Sequence, residues 1–171
     1  MRGLLAFAFL LIVPAGMMAQ SKKVKIYAYQ QEVLPGVRKT SIEESGQTKE
    51  IPNKTRPKTF IYLEAPRDKK IDPKHIWING KLFGVNVSTP QLPVVLINTA
   101  IPKKAPDTLA RKTNNLVIQL EPVMDVPAFT PSSAAKKKMK SNKIVLHTIE
   151  NGKNCYYYLK SIKILDPVAL Q

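Results

Sequence analysis

The sequence predicts an all-β protein, and specifically a single antiparallel β-sandwich of the immunoglobulin-like kind, with about seven or eight strands and long loops. Short segments in which apolar and polar residues alternate predict the strands. Two Asn-Gly dipeptides between such segments predict hairpins. No long segment carries the apolar stripe of an amphipathic helix. An open β-barrel is the alternative arrangement for the same strands.

The first dipeptide, Asn79-Gly80, stands between the segments HIWI and KLFGVNV. Both central residues of a type I′ turn need positive φ, which Asn and Gly adopt more readily than other residues. A two-residue loop pairs Trp77 with Leu82. The only tryptophan of the chain is therefore expected in a cross-strand apolar pair.

The second dipeptide precedes a strand with three consecutive tyrosines, and its two-residue loop places Glu150 opposite Lys153. Successive side chains of a strand point to opposite faces. Tyr157 is therefore expected in the core, on the same side as Cys155. The other two tyrosines are expected on the opposite side.

The tyrosines on that opposite side and a lysine-rich run form a candidate contact surface. The run AAKKKMKSNK, residues 134–143, contains five lysines and no acidic residue. Such a run suits contact with an anionic surface or an acidic partner, and a solvated loop is the other interpretation. The predicted contact residues are Tyr156, Tyr158, His147, Lys136, Lys137, Lys138 and Lys140.

Shorter patterns predict further strands at 23–29, 59–65, 93–98, 115–120 and 154–165. The run 93–98 is continuously apolar, which is typical of a strand buried on both faces. The last strand needs a bulge near Lys160 and Ser161 if its apolar residues are all to face inward. The tail, 166–171, is expected to be loose.

The first residues predict a secretory signal peptide at 1–19. Arg2 precedes an apolar stretch, 4–13, which is followed by small residues. No cysteine near the cleavage site could accept a lipid, and no later apolar run is long enough for a transmembrane helix. We therefore expect an exported protein of the bacterial periplasm, the outer membrane or the cell surface.

Residues 20–171 are enough for one hydrophobic core, so a single β-rich domain is expected. Flexible loops are predicted at 38–58 and 121–142, where prolines and polar residues are frequent. A short helix at 132–140 is an option within the second loop. The single cysteine, Cys155, excludes an internal disulfide.

The formal net charge of +15 favours association with anionic partners. Only five of the 27 basic residues are Arg, the residue suited to bidentate recognition of bases and phosphates. The sequence therefore predicts no sequence-specific binding of nucleic acid. The expected partner is a protein of the cell envelope, or an anionic lipopolysaccharide or glycan.

The sequence predicts no catalytic residue, no metal site and no cofactor. His75 and His147 lie in predicted strands without further ligands at metal-binding spacing. No G-x-S-x-G turn is present, and Cys155 faces away from His147 in the predicted hairpin. The adjacent carboxylates Glu43 and Glu44 lie in a polar loop and are expected to be solvated.

The predicted signal peptide ends in Met-Ala-Gln and is followed by a lysine-rich chain with the strand TFIYLEA, the hairpin WINGK and the terminal YYYLKSIKIL. Together these segments resemble small exported β-rich proteins of Bacteroidota. The resemblance implies a place at the outer membrane beside larger β-barrel components for transport or secretion. It implies no activity and no functional residues.

The function expected from these observations is that of a non-catalytic exported protein that binds a protein partner in an envelope assembly. A binding module for a polyanionic or carbohydrate envelope ligand is the first alternative. An enzyme is the second alternative, which the absence of a catalytic constellation in the sequence disfavours.

Overall fold

The computed structural model describes residues 23–34, 39–42, 45, 47–51, 57–99, 101–124, 126 and 129–169. Within these residues it contains twelve β-strands and one short α-helix. The strands are β1 (Lys25–Leu34), β2 (Lys39–Ile42), β3 (Thr48–Ile51), β4 (Lys58–Ala65), β5 (Asp72–Ile78), β6 (Lys81–Ser88), β7 (Val94–Leu96), β8 (Asp107–Ala110), β9 (Leu116–Val123), β10 (Ile144–Glu150), β11 (Lys153–Leu159) and β12 (Lys163–Ala169), and the helix is α1 (Ser133–Met139).

Eight strands form one main sheet in the order β11-β10-β5-β6-β9-β4-β1-β12, and this sheet curls into a half-barrel. Neighbouring strands are antiparallel except β1 and β12, which run parallel. The curl brings β11 against β1. The predicted all-β class is confirmed. The immunoglobulin-like sandwich is not confirmed, because the largest core is enclosed by one curled sheet.

The concave face of the half-barrel holds this larger core. Alternate residues of β1, β4, β5, β9 and β10 point into it, as the two-residue period of a strand requires. The buried members are Ala28, Ile61, Leu63, Ile76, Ile118, Leu120, Ile144 and Leu146. Tyr157 and Leu159 of β11 pack against them, which confirms the predicted core position of Tyr157.

A second core lies on the convex face, beneath a ribbon formed by β7 and β8. Leu109 and Ala110 of β8 are buried there against Tyr62, Val117 and Leu165 of the main sheet. The ribbon therefore covers one part of the outer face and leaves the part formed by β5, β10 and β11 to other segments.

The prediction that 93–98 forms a strand buried on both faces is wrong. β7 is only three residues long, Val95 is 43% exposed and Ile97 is 68% exposed. One face of the ribbon contacts the main sheet and the other faces solvent, so its apolar residues are only half covered.

Both predicted Asn-Gly hairpins are confirmed. The turn residues Asn79, Gly80, Asn151 and Gly152 all have positive φ, as a type I′ turn requires. The pairings Trp77 with Leu82, His147 with Tyr156 and Glu150 with Lys153 are all present. Local turn chemistry thus sets the register of β5 with β6 and of β10 with β11.

The C-terminal segment differs from its prediction. β11 ends at Leu159, and the chain then forms β12 at the opposite edge of the main sheet. No bulge near Lys160 is needed, because two strands replace the single strand that was predicted. The tail was expected to be loose, but it is ordered up to Ala169 because β12 pairs with β1. The Gln31 side-chain amide also donates to the Asp166 carbonyl at 3.0 Å.

The two segments predicted as flexible loops contain regular structure. β2 and β3 pair within 38–58. The short helix expected near 132–140 is confirmed as α1, where the Ser132 hydroxyl accepts a hydrogen bond from the Ala135 N–H at 3.2 Å and caps the first turn. The predicted signal peptide, 1–19, lies outside the described residues.

Candidate functional site

Three lysines from two segments of the chain line one pocket of about 320 Å³, which we call the lysine pocket. Lys140 and Lys143 belong to the connection between α1 and β10, and Lys160 follows β11. Asn79 and Asn142 add amide groups to the lining. Ammonium groups only donate hydrogen bonds, so a pocket lined by three of them suits an anionic group.

The backbone of Lys143 joins the walls of the lysine pocket. Its carbonyl accepts a hydrogen bond from the Asn79 N–H at 2.8 Å, and its N–H donates to the Leu159 carbonyl at 2.9 Å. The Asn142 side chain donates to the Lys138 carbonyl at 2.7 Å and ties the end of α1 to this connection. Main-chain hydrogen bonds therefore hold the pocket walls in place without a ligand.

The charged side chains that the structure places in the lining of the lysine pocket are all positive. Among the described residues that line it there is no carboxylate, and none of its three lysines makes an ion pair with a residue in the described part of the chain. Like charges repel when no anion lies between them. A bound anion would relieve this repulsion.

The structure brings one predicted contact lysine, Lys140, into the lysine pocket. Lys136, Lys137 and Lys138 are instead exposed on α1, in its last turn. Positive charge at that end of a helix interacts favourably with the helix dipole. These three lysines therefore have a local structural role as well as a place on the surface.

Lys143 and Lys160 were not among the predicted contact residues, although the sequence held a signal for them. The register that the second Asn-Gly turn imposes pairs Ile144 with Leu159. The ladder ends at this pair, so Lys143, which precedes Ile144, and Lys160, which follows Leu159, lie at the same end of the hairpin. Two lysines at one end of a hairpin gather like charge there, which an anionic partner would offset.

The tyrosine face of β11 runs up to the lysine pocket. Tyr158 is 39% exposed and lies two positions before Lys160, which is the repeat of one strand face. Tyr156 is half-buried, and its ring stacks on His147 with 5.1 Å between ring centroids. Tyr158 is thus an exposed aromatic side chain close along the chain to Lys160 of the lysine pocket.

His147 lies beneath this surface, because only 2% of it is exposed. The Phe129 ring stacks on His75 and His147, with centroid distances of 4.3 and 4.7 Å. The ring centroids of Trp77 and Phe129 are 5.9 Å apart, and Trp77 is 4% exposed. Since Trp77 is buried, it cannot offer its ring to a sugar, and the aromatic rings there form a small packed layer.

The two histidines of this layer hydrogen-bond to each other. His147 Nε2 lies 2.9 Å from Asn154 Oδ1, and the Nδ1 atoms of His75 and His147 are 3.1 Å apart. Because the Asn154 oxygen accepts, Nε2 of His147 carries the proton and its Nδ1 accepts from His75. Burial, with help from His147 and Lys74, lowers the pKa of His75, so His75 is neutral at neutral pH.

A separate polar cluster lies inside the half-barrel around Glu150. Lys69 Nζ donates to the Glu150 carboxylate and to the Tyr157 hydroxyl, each at 2.8 Å, and the Tyr157 hydroxyl donates to Glu150. The Thr148 hydroxyl adds a contact of 3.4 Å to the same carboxylate. The charge buried with Glu150 is therefore paired and fully hydrogen-bonded.

The pKa values of the Glu150 cluster move away from neutrality. Burial acts to raise the pKa of Glu150, but the hydrogen bonds from Lys69 and Tyr157 outweigh it and leave that pKa lowered. Hydrogen bonds to Glu150 and Tyr157 raise the pKa of Lys69, and burial raises that of Tyr157. A general base or acid works best with a pKa near the working pH, so this cluster has the character of a structural ion pair.

Cys155 faces the same interior and is not activated. Burial raises the pKa of its thiol, and the charge of Glu150 raises it further. The thiolate is the reactive form of cysteine, so this environment disfavours nucleophilic chemistry.

No group of three or more metal-ligating side chains comes together in the described part of the chain. Among the residues that the structure describes, no helix is both long enough and apolar enough to cross a membrane.

Comparisons of this chain with protein-family models, with curated proteins and with solved structures find no match.

Proposed function

We propose that this protein is a non-catalytic, exported binding protein that holds an acidic protein partner in the cell envelope. The observation that carries the proposal is the lysine pocket, in which Lys140, Lys143 and Lys160 meet without a carboxylate among the described lining residues. The exposed Tyr158 beside it supplies an aromatic anchor. Aromatic anchors next to charged positions are common at the centres of protein interfaces.

The location belongs to the same proposal. Export rests on the predicted signal peptide at 1–19, and assignment to the periplasm, outer membrane or cell surface rests on that segment and on the single cysteine. The net charge of +15 supports the acidic character of the partner, because it draws anionic molecules toward the surface.

The second candidate function is binding of a polyanionic envelope ligand such as lipopolysaccharide. The same pocket supports it, together with Lys136, Lys137 and Lys138 on α1. The two candidates differ in their need for Tyr158. A polyanion would be held by charge alone, whereas a protein interface would lose affinity without the tyrosine.

The proposal extends to the arrangement of layers. The β7–β8 ribbon packs on the convex face through Leu109 and Ala110. This packing supports a sandwich-like arrangement at that end of the molecule, with the ribbon as a small second layer.

The test is affinity capture from the native envelope with three forms of the protein. The pocket variant carries K140Q, K143Q and K160Q. The control variant carries K70Q, K74Q and K153Q, which remove the same charge at the opposite ends of β5 and β11. We expect a partner that the wild type and the control retain and that the pocket variant and Tyr158→Ala lose.

Capture of the same proteins by all forms would contradict the proposal. Binding of lipopolysaccharide that falls in the pocket variant more than in the control, weakens steeply with salt and is unaffected by Tyr158→Ala would favour the second candidate.

A further inference from the structure

A second cavity, of about 550 Å³, opens at one end of the main sheet, and we call it the β4–β9 cleft. Three connections meet there. Arg67 follows β4, Leu92 lies between β6 and β7, and Lys112 lies between β8 and β9. The volume falls within the range of small-molecule sites.

Glu64 orients the polar wall of the β4–β9 cleft from behind. One of its oxygens accepts from the Asn115 side-chain amide at 2.6 Å and from the Thr113 hydroxyl at 3.3 Å. The other accepts from the Tyr27 hydroxyl at 2.6 Å. A carboxylate only accepts, so the amide nitrogen of Asn115 must face Glu64. The Asn115 oxygen is thereby turned away from Glu64 and stays available as an acceptor in a residue that lines the cleft.

The orienting charge persists at neutral pH. Burial acts to raise the pKa of Glu64, but the hydrogen bonds from Tyr27 and Asn115 outweigh it and leave that pKa lowered. The same hydrogen bonds hold the carboxylate in position, so Asn115 and Thr113 have fixed directions before any ligand arrives.

Two cations stand at the β4–β9 cleft. Arg67 and Lys112 are exposed, and neither makes an ion pair with a residue that the structure describes. Among the described residues the donors to Glu64 are Tyr27, Thr113 and Asn115, and the cation whose charge acts on it is Lys25, not Arg67 or Lys112. A guanidinium binds a carboxylate through two parallel hydrogen bonds, and Arg67 therefore favours that anion.

The remaining wall of the β4–β9 cleft is apolar. Leu92, Leu116 and Val117 line it, and the last is 4% exposed at the base of the convex core. A ligand that fills the cleft therefore needs an apolar portion beside its anionic group.

We propose that the β4–β9 cleft binds an N-acylated apolar α-amino acid group, the chemistry shared by a peptide C-terminus and a free N-acyl amino acid. Arg67 and Lys112 hold the carboxylate, the Asn115 oxygen accepts the amide N–H, and Leu92 with Val117 receives the apolar side chain. This site is independent of the lysine pocket.

The test is isothermal titration with N-acetyl-leucine as the probe. We expect saturable binding to the wild type at or below about 10 mM. N-acetyl-leucinamide, which lacks the carboxylate, should bind at least about tenfold more weakly. The ester analogue, in which an oxygen replaces the amide nitrogen, should bind about fivefold more weakly because the Asn115 oxygen loses its donor.

Substitution of the two exposed cations tests whether N-acetyl-leucine binds in the β4–β9 cleft. Arg67→Gln and Lys112→Gln should each weaken N-acetyl-leucine about fivefold to tenfold. Lys163→Gln on β12 removes the same charge outside the cleft and should leave the affinity unchanged. The variant K140Q/K143Q/K160Q should also leave it unchanged, which separates this proposal from the proposed partner site.

The two sources of this chemistry are distinguished with the peptide Ala-Ala-Leu. Tighter binding of the peptide than of N-acetyl-leucine identifies a peptide C-terminus, and weaker binding identifies a small N-acyl amino acid. No saturable binding of either probe, equal affinity for the acid and its amide, or an equal loss in Lys163→Gln would overturn the proposal.

Discussion

Glu150 carries its charge into the half-barrel because Lys69 and Tyr157 both donate hydrogen bonds to it. The hairpin register places its carboxylate there, since Glu150 lies on the same face of β10 as Thr148 and Leu146. The pairing with Lys153 across the turn was predictable from the sequence. Lys69 was not, because it comes from a connector that only the tertiary structure brings inside.

We expect Glu150→Gln to lower the free energy of unfolding at pH 7 by about 1–3 kcal/mol, because Lys69 loses the charge that pairs with it. The pKa of Glu150 is lowered in the folded state. Its stabilisation is therefore present above its ordinary value of 4.5 and is lost as the pH falls through the lowered pKa. Denaturant unfolding at pH 7 and at pH 3 measures both effects.

Glu121→Gln is the matched control for this change. Glu121 is exposed on β9, and its replacement should change stability by less than about 0.5 kcal/mol. If the two variants were equally stable at pH 7, the interior ion pair would contribute nothing and the interpretation would fail.

At the scale of the structural element, the aromatic layer lies over β5 and β10. Strand period alone predicts that His75, Trp77 and His147 share the outer face of the sheet. It does not predict Phe129, which comes from the connection before α1 and stacks on both histidines. Segments without a period give no indication of what they cover.

Trp77 is the only tryptophan of the chain and reports on this layer. Its ring centroid lies 6.3 Å from that of His75, and a protonated imidazole quenches indole emission. The pKa of His75 is lowered by burial. We therefore expect the tryptophan fluorescence of the folded protein to decrease as the pH is lowered. The midpoint should lie below pH 6.5, which is the ordinary pKa of histidine.

The free energy of unfolding should also depend on the protonation of His75. Because the pKa of His75 is lowered in the folded state, the unfolded chain binds the proton more tightly. The contribution of His75 to the stability is therefore fully present above pH 6.5 and is lost as the pH falls through the lowered pKa. His75→Gln should abolish the fluorescence transition while the far-ultraviolet circular dichroism stays constant. An unchanged transition in that variant would assign the quenching to another group.

At the scale of the whole molecule, the parallel pairing of β1 with β12 completes the main sheet. Leu165 is 4% exposed in the convex core, whereas its neighbour Ile164 is 66% exposed. The two residues are similar in size and adjacent in sequence. They therefore test whether the C-terminal strand contributes to the stability of the fold.

We expect Leu165→Ala to lower the free energy of unfolding by about 2–4 kcal/mol, because it leaves a cavity between Tyr62 and the β7–β8 ribbon. Ile164→Ala should cost less than about 0.5 kcal/mol. Thermal and denaturant unfolding of both variants provide the comparison. Equal effects would mean that β12 does not pack as described.

Local sequence determines the all-β class, the two Asn-Gly hairpins and the side of each hairpin strand that enters the core. These features depend on turn geometry and on the two-residue period, which act between residues close along the chain. The hairpin register also places Lys143 and Lys160 at the same end of β10 and β11, so these two residues of the lysine pocket could be predicted together.

The tertiary structure alone decides the curl of the main sheet, the parallel β1–β12 edge and the β4–β9 cleft, and it adds Asn79 and Lys140 to the lysine pocket. β12 joins a strand more than a hundred residues earlier, and the β4–β9 cleft combines three separate connections. No local pattern encodes such contacts, because the pairing of distant segments depends on which apolar faces remain uncovered once the hairpins have formed. The candidate sites of this protein lie at those long-range junctions.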